Sequence, residues 1–359
     1  MMEFVWAMWA RGCRRFSVGI LALGLLLVAA PGSRAAEHPR VYVSSEDSGE
    51  ISAVDPVAGE VLQHVSVGKR PRGIKLSPAG DLLYVALSGS PSAGPGVDES
   101  KLPPPDRSAD GIGVIDLKSF KLLRTLPGGQ DPEAFDISPD GKTLYISNEE
   151  TAEVTVLDVT TRKVVQRVAV GREPEGVTVR PDGKVVYVTC EGDGDVVAID
   201  TATRKVLAHI PTEARPRSVV FTKDGSTAFA TAERGAAVTV IDARHHRRIA
   251  TISIPAEEGK QLPARPMGSV LSADGKQVYI SNGRGESVAV IDVATRKFVR
   301  SIPDVGTRPW GIGVSLDGSE VYTANGPSED LSVISVASGK VERRIKVGGR
   351  PWGLVVGKP

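Results

Sequence analysis

Seven short segments of this chain share one frame, a charged residue followed by Pro-x-Gly or a near variant, while the side chain at x changes from one to the next. The prolines are Pro71, Pro132, Pro174, Pro216, Pro266, Pro309 and Pro351. The residues at x are Arg72, Glu133, Glu175, Arg217, Met267, Trp310 and Trp352. Four are charged, two of each sign, and three in succession are apolar, so if they converge they form a mouth with a polar and an apolar sector, the general form of a small-ligand site. Packing of Trp310 and Trp352 between structural units is the competing use of the same residues. A second set of candidates is the acidic residues of the loops between strands: Glu46, Asp47, Glu149, Glu150, Glu191, Asp193, Asp195, Glu233, Glu286, Glu329 and Asp330. As acidic loop residues they are expected to be mainly solvated charges.

Other chemistry is poorly represented. The histidines are His38, His64, His209, His245 and His246, all expected on outer strands, outer loops or the N-terminal arm and none at the mouth, which argues against a histidine-rich copper cluster. The run Glu191-Gly192-Asp193-Gly194-Asp195 is acidic and glycine-bent but lacks the spacing of a twelve-residue calcium loop, and reads as a solvated turn. There is no Ser-His-Asp grouping, glycine-rich phosphate loop or nucleophile elbow. No catalytic residue, metal or cofactor, bound quinone included, is expected. Lys plus Arg is 44 against 43 for Asp plus Glu, a balance that gives no support to nucleic-acid binding.

The frames recur at spacings of 61, 42, 42, 50, 43 and 42 residues, a period of 42 with two insertions. Within each period an Asp-Gly or Ala-Gly turn (Gly80, Gly141, Gly183, Gly225, Gly275, Gly318) precedes an aromatic strand (Tyr84, Tyr145, Tyr187, Phe229, Tyr279, Tyr322, with Tyr42 as a seventh). A β-branched run then ends in Asp55, Asp116, Asp158, Asp200, Asp242 or Asp292, and once in Ser335. From Pro174 to Ile210 this reads as four strands, A over 176–179, B over 185–189, C over 196–199 and D over 206–210. Seven such units with no helical period predict an all-β, seven-bladed β-propeller of four-stranded antiparallel blades. The repeats open on a strand B at Val41-Tyr42-Val43 and close on a strand A at Pro351-Trp352-Gly353, so the C-terminal strand is expected to close the first blade.

Antiparallel connectivity puts the B–C and D–A loops on one face. Both insertions, at about 88–110 and 255–263, fall there, with the Pro-x-Gly anchors; this is the candidate functional face. Basic pairs such as Arg162-Lys163 and Arg204-Lys205 fall in C–D loops on the opposite face.

Residues 1–35 have the pattern of a signal peptide: Arg11, Arg14 and Arg15, an uncharged apolar run from Phe16 to Ala30, a Pro31-Gly32 break, then Ser33 and Ala35 before the cleavage point. Residues 36–359 are then a single exported domain, periplasmic or secreted, without stable membrane insertion after cleavage. Its one cysteine, Cys190, excludes an intramolecular disulfide and cysteine-rich zinc sites.

Tyr145-Ile146-Ser147-Asn148 and Tyr279-Ile280-Ser281-Asn282, with Ser138-Pro139-Asp140-Gly141, resemble the YVTN-type propeller repeat across nearly the whole exported part. The Arg-Pro-Arg-Gly, Asp-Pro-Glu-Ala and Arg-Pro-Trp-Gly units look like an exported branch associated with pyrroloquinoline-quinone-dependent alcohol catabolism and an adjoining transport operon. That resemblance implies an accessory or binding protein. The expected function is therefore non-catalytic, a binding or scaffold propeller serving a periplasmic oxidation or transport system through a protein or small-molecule partner on the B–C/D–A face. The alternative is a propeller hydrolase of the lactonase kind, which requires a metal or a His/Glu centre in the channel.

Overall fold

The computed structural model describes residues 38–91, 101–257 and 263–358; the signal-peptide segment and its cleavage point lie outside them, as do parts of both insertions. His38 onward forms one compact unit of seven four-stranded antiparallel sheets. Blade 1 joins Pro351–Gly357 to Arg40–Ser45, Glu50–Asp55 and Glu60–Ser66. Blade 2 runs Pro71–Leu76, Leu82–Leu87, Gly111–Asp116 and Lys121–Leu126. Blades 3 to 7 repeat the order, with A strands Pro132–Ile137, Pro174–Val179, Pro216–Phe221, Pro266–Leu271 and Pro309–Val314. The fold is the expected seven-bladed propeller, and the first blade is closed as expected: Val41, Tyr42 and Val43 pair with Val356, Val355 and Leu354.

The apolar alternation of strands B and C dictates where the core forms. Each blade buries both faces of these two strands, so the core is seven separate clusters, each shared by neighbouring blades. The aromatic of strand B is central to them, with Tyr187, Tyr279, Tyr322 and Phe229 at 1% exposure or less. Strand D is the outer edge and leaves Leu62, Leu123, Val165, Leu207 and Val299 exposed.

The Asp that ends strand C caps the C–D turn. Asp158 accepts bonds from the amide and hydroxyl of Thr161, and Asp200 and Asp292 repeat this with Thr203 and Thr295. Ser335 performs the same task with one longer bond, from Ser338 N at 3.3 Å.

The A strands line the axis, and the Pro-x-Gly frame follows from how close they approach. A Cβ on Gly311 would lie 2.7 Å from the Trp352 carbonyl oxygen, and one on Gly353 2.7 Å from that of Arg72. These glycines are needed for backbone contact between neighbouring blades. Each A strand also carries a register shift just after its proline, which re-aims the x side chain.

Candidate functional site

Three local devices set the site residues. First, every residue before the seven prolines has a left-handed backbone: Arg70, Asp131, Glu173, Arg215, Arg265, Arg308 and Arg350, with φ between 42° and 62°. Non-glycine residues rarely adopt this conformation, and such strain concentrates at working sites. Second, six of their carbonyls receive a B–C loop amide. Examples are Glu46 N to Arg350 O at 3.0 Å, Glu191 N to Glu173 O at 2.9 Å and Glu233 N to Arg215 O at 2.8 Å. The acidic loops are thereby pinned over the anchors.

Third, a strand-B hydroxyl crosses to the carbonyl of the x residue in the next blade. Ser44 bonds Arg72 O at 2.6 Å, Ser147 bonds Glu175 O at 2.6 Å, and Thr189 bonds Arg217 O at 3.2 Å. Thr231 bonds Met267 O at 2.6 Å and Ser281 bonds Trp310 O at 2.7 Å. Sequence reasoning missed this link, although its signal, Ser or Thr two residues after the strand-B aromatic, stands in the repeat.

The structure brings the seven x residues together around the channel mouth. Arg72 pairs with Glu133, Glu175 pairs with Arg217 at 3.1 Å, and the rings of Trp310 and Trp352 lie 5.6 Å apart at 38°. The Arg217 guanidinium stands 5.2 Å from the Trp310 ring, and that of Arg72 6.0 Å from Trp352, so charged and aromatic sectors touch at both ends. Met267 is buried beside Gly283. Below them the channel encloses a cavity of about 320 Å³, walled by the A strands of all seven blades and reached by Glu175, Arg217, Trp310 and Trp352.

The acidic loops correct an expectation. Glu46 and Glu191 are 6% and 7% exposed, not solvated, because arginines of the frame draw them inward. Glu46 receives Arg70 at 3.0 Å and Arg72 at 3.2 Å. Glu191 receives Arg215 at 2.5 Å and also pairs with Arg217, whose Nε meets Glu233 at 3.1 Å. Of the acidic residues in the glycine-bent run, Asp193 and Asp195 stay nearer the surface, paired with Arg172 and His209.

Glu149 is different. It forms no ion pair or side-chain hydrogen bond among the described residues. Burial, reinforced by Glu175 and Asp131 and opposed by Arg72 and Arg217, pushes its carboxyl up to about 7. Burial and Glu175 also push the Glu191 carboxyl upward, against Arg217 and Arg215, which hold it as their ion-pair partner. Asp131, Glu133 and Glu149 bring carboxylate oxygens within 4.8 Å of one another and are the residues that could hold a metal ion; Arg72 already supplies a cation to Glu133.

The histidines stay away from the mouth, as expected. His38 and His245 pair with Asp55 and Asp242, His64 bonds Ser52, and His246 bonds Tyr187.

Two family models match parts of the chain: YNCE-like beta-propeller over residues 97–182, and lactonase, 7-bladed beta-propeller, over residues 177–350. Antigen Lp49 of Leptospira interrogans is 28% identical over 30% of this chain, and the chain spans 30% of that relative's length. Among solved structures, a periplasmic gluconolactonase of Pseudomonas aeruginosa superposes with a TM-score of 0.71 at 21% identity, over 89% of this chain and 99% of that one. A putative 6-phosphogluconolactonase of Bacteroides fragilis gives 0.70 at 18%, over 90% and 99%. Hydrazine synthase of Kuenenia stuttgartiensis gives 0.65 at 19%, over 80% and 95%. At these identities the superpositions show a shared fold.

The expectation of a non-catalytic scaffold is overturned by the lactonase model across residues 177–350, which favours the hydrolase alternative. The physical reason the sequence misled is the histidine argument. A buried glutamate between arginines reaches a near-neutral pKa without any histidine.

Proposed function

We propose that the chain is a hydrolase of the lactonase kind, opening a cyclic ester at the channel mouth. The observation that carries this reading is Glu149, an unpaired carboxyl with a pKa of about 7, set between Arg72 and Arg217. A general base works best when its pKa lies near the working pH. Glu149 takes a proton from water as the water oxygen attacks the lactone carbonyl. Arg72 and Arg217 are the cations available to the resulting oxyanion, and each leaves its Nη2 without a hydrogen-bond partner among the described residues. The ring C–O bond then breaks, and Glu149 returns the proton it took from water to the leaving oxygen. The product is a hydroxy acid, and Glu149 is left ionised for the next turnover.

The names of the gluconolactonase and 6-phosphogluconolactonase neighbours support a sugar-type lactone as the first substrate to try. Export to the periplasm belongs to the same reading. A quinone-dependent dehydrogenase there that oxidises a cyclic hemiacetal releases a lactone, which is how the resemblance to the alcohol-catabolism branch fits a hydrolase. Among the described residues no helix is long and apolar enough to cross a membrane. Sequencing the N-terminus of exported protein should give Ala36; an intact Met1 refutes export by cleavage.

The test is hydrolysis of δ- and γ-aldonolactones followed by proton release. Turnover should rise through about pH 7 as Glu149 ionises. Rates equal to the buffer blank across the lactone series sink the proposal.

A further inference from the structure

Charge at the mouth is unevenly compensated. In blades 2 to 5 the arginines at and before the x positions, Arg70, Arg72, Arg215 and Arg217, each pair with a carboxylate. Across blades 6 and 7 this stops. Arg265 and Arg308 precede their prolines as Arg70 and Arg215 do, yet neither has an ion pair or side-chain hydrogen bond among the described residues, and Nε of Arg265 is buried. Arg284, in the B–C loop of blade 6, is exposed and equally unpaired. The amide of Gly283 bonds the Arg265 carbonyl at 2.8 Å, which fixes Arg284 beside that anchor.

Arg308 is the centre of this sector. It is partly buried, and its guanidinium stands 5.4 Å from the Trp310 ring, on which Arg217 also bears. Burial lowers its pKa below the usual guanidinium value, as do Arg350, Arg284 and Arg217; Glu233 is the opposing carboxylate. A cation so placed costs the fold stability unless something else neutralises it. Arg350 is partly spoken for by Glu46 and Asp47, at 3.9 and 3.7 Å. The neighbouring wall is aromatic, Trp310 beside Trp352 with their planes 38° apart, and the cavity opens beneath it.

We infer that Arg308, with Arg284, forms an oxyanion subsite that holds the carboxylate or phosphate group of a ring-bearing ligand packed against the Trp310 and Trp352 wall. A guanidinium presents paired donors to either group, and the tryptophan pair offers a rigid aromatic wall for a ring to pack against. The subsite stands on its own chemistry and does not rest on lactone hydrolysis.

Three probes with one ring test it by isothermal titration calorimetry on the full chain at fixed ionic strength: benzoate, phenyl phosphate and neutral benzyl alcohol. At least one anion should give a saturable isotherm and the alcohol none; which anion binds tells carboxylate from phosphate. Arg308→Gln should weaken that anion by about tenfold or more, the loss of one charge-assisted pair. Its thermal midpoint should stay level or rise, since an uncompensated buried charge has gone; a structural arginine would lower it. Arg284→Gln, on an exposed residue that cannot unfold the blade, should weaken the same anion less. Equal binding of benzyl alcohol, an unchanged affinity in Arg308→Gln, or no saturable binding of either anion by about 10 mM overturns the inference. Because none of the probes is a lactone, failure here leaves the hydrolase reading standing, and failure of hydrolysis leaves this one standing.

Discussion

At the scale of single residues, Glu149 makes two demands on the molecule that can be separated. The folded chain keeps its proton up to about pH 7, whereas an ordinary glutamate releases it near 4.5. The stability this group contributes is therefore complete below about 4.5 and drains away as pH rises to about 7. The span corresponds to on the order of 3 kcal/mol. Glu149→Gln removes the titration, so its thermal midpoint should fall less than the parent's between pH 5 and pH 8, measured by circular dichroism. Lactone turnover in the same variant should drop by about 10²-fold or more, the usual worth of a positioned base. A variant with a shallower pH dependence but undiminished turnover would remove Glu149 from the reaction. The tryptophans make a different prediction. Trp310 and Trp352 are partly exposed at the cavity, with guanidiniums against their faces. Trp310→Ala and Trp352→Ala should each cost less than the roughly 3–5 kcal/mol of a fully buried aromatic. Denaturant titrations that return the full core value in both would make them inter-blade packing.

At the scale of elements, the site is positioned by strand-to-strand links, and Ser147 shows their weight. Its hydroxyl bonds the Glu175 carbonyl at 2.6 Å and the carbonyl and amide of Ala134 at 2.9 and 3.1 Å, so it ties strand B of blade 3 to two A strands. Ser147→Ala should cost about 1–3 kcal/mol, since buried partners are left unsatisfied. It should also reduce turnover, because Glu175 flanks both Glu149 and Glu191. Thermal melts and initial rates on one preparation check both. What was legible in the sequence divides at this scale. The 42-residue period placed all seven x residues at one mouth and both insertions on one face, because strand order fixes which loops share a face. Side-chain direction within a loop is not periodic. Glu149 and Glu150 are neighbours in sequence, yet Glu150 turns out to Arg107 while Glu149 turns in. Nor could spacing show that Arg217 gathers Glu175, Glu191 and Glu233 from the frame and two B–C loops. Ion pairing across blades is a property of the closed ring, not of any one repeat.

At the scale of the whole molecule, ring closure is the condition for everything above, because the mouth exists only when blade 1 meets blade 7. The closing strand Pro351–Gly357 contributes Trp352 to the aromatic wall, and the carbonyl of Arg350 receives the Glu46 amide that holds this loop over Arg72. It also packs Leu354 and Val356 into the cluster shared by blades 7 and 1, with Val41, Val43, Tyr322 and Leu331. Deleting residues 351–359 strips the paired edge from Arg40–Ser45 and opens that cluster to water. Two unprotected surfaces then face each other across a gap, a strand edge and an apolar blade face, which is the arrangement that pairs with other copies of the chain. The truncated protein should aggregate or lose its cooperative melt, far beyond the share of nine residues in the chain, and a peptide spanning 351–359 supplied in trans should restore part of the soluble fraction. Sedimentation and thermal melts of the truncated chain with and without peptide decide the matter. A truncated chain that stays monomeric and melts with the full-length protein would mean that the other six blades hold the ring shut without the C-terminal strand.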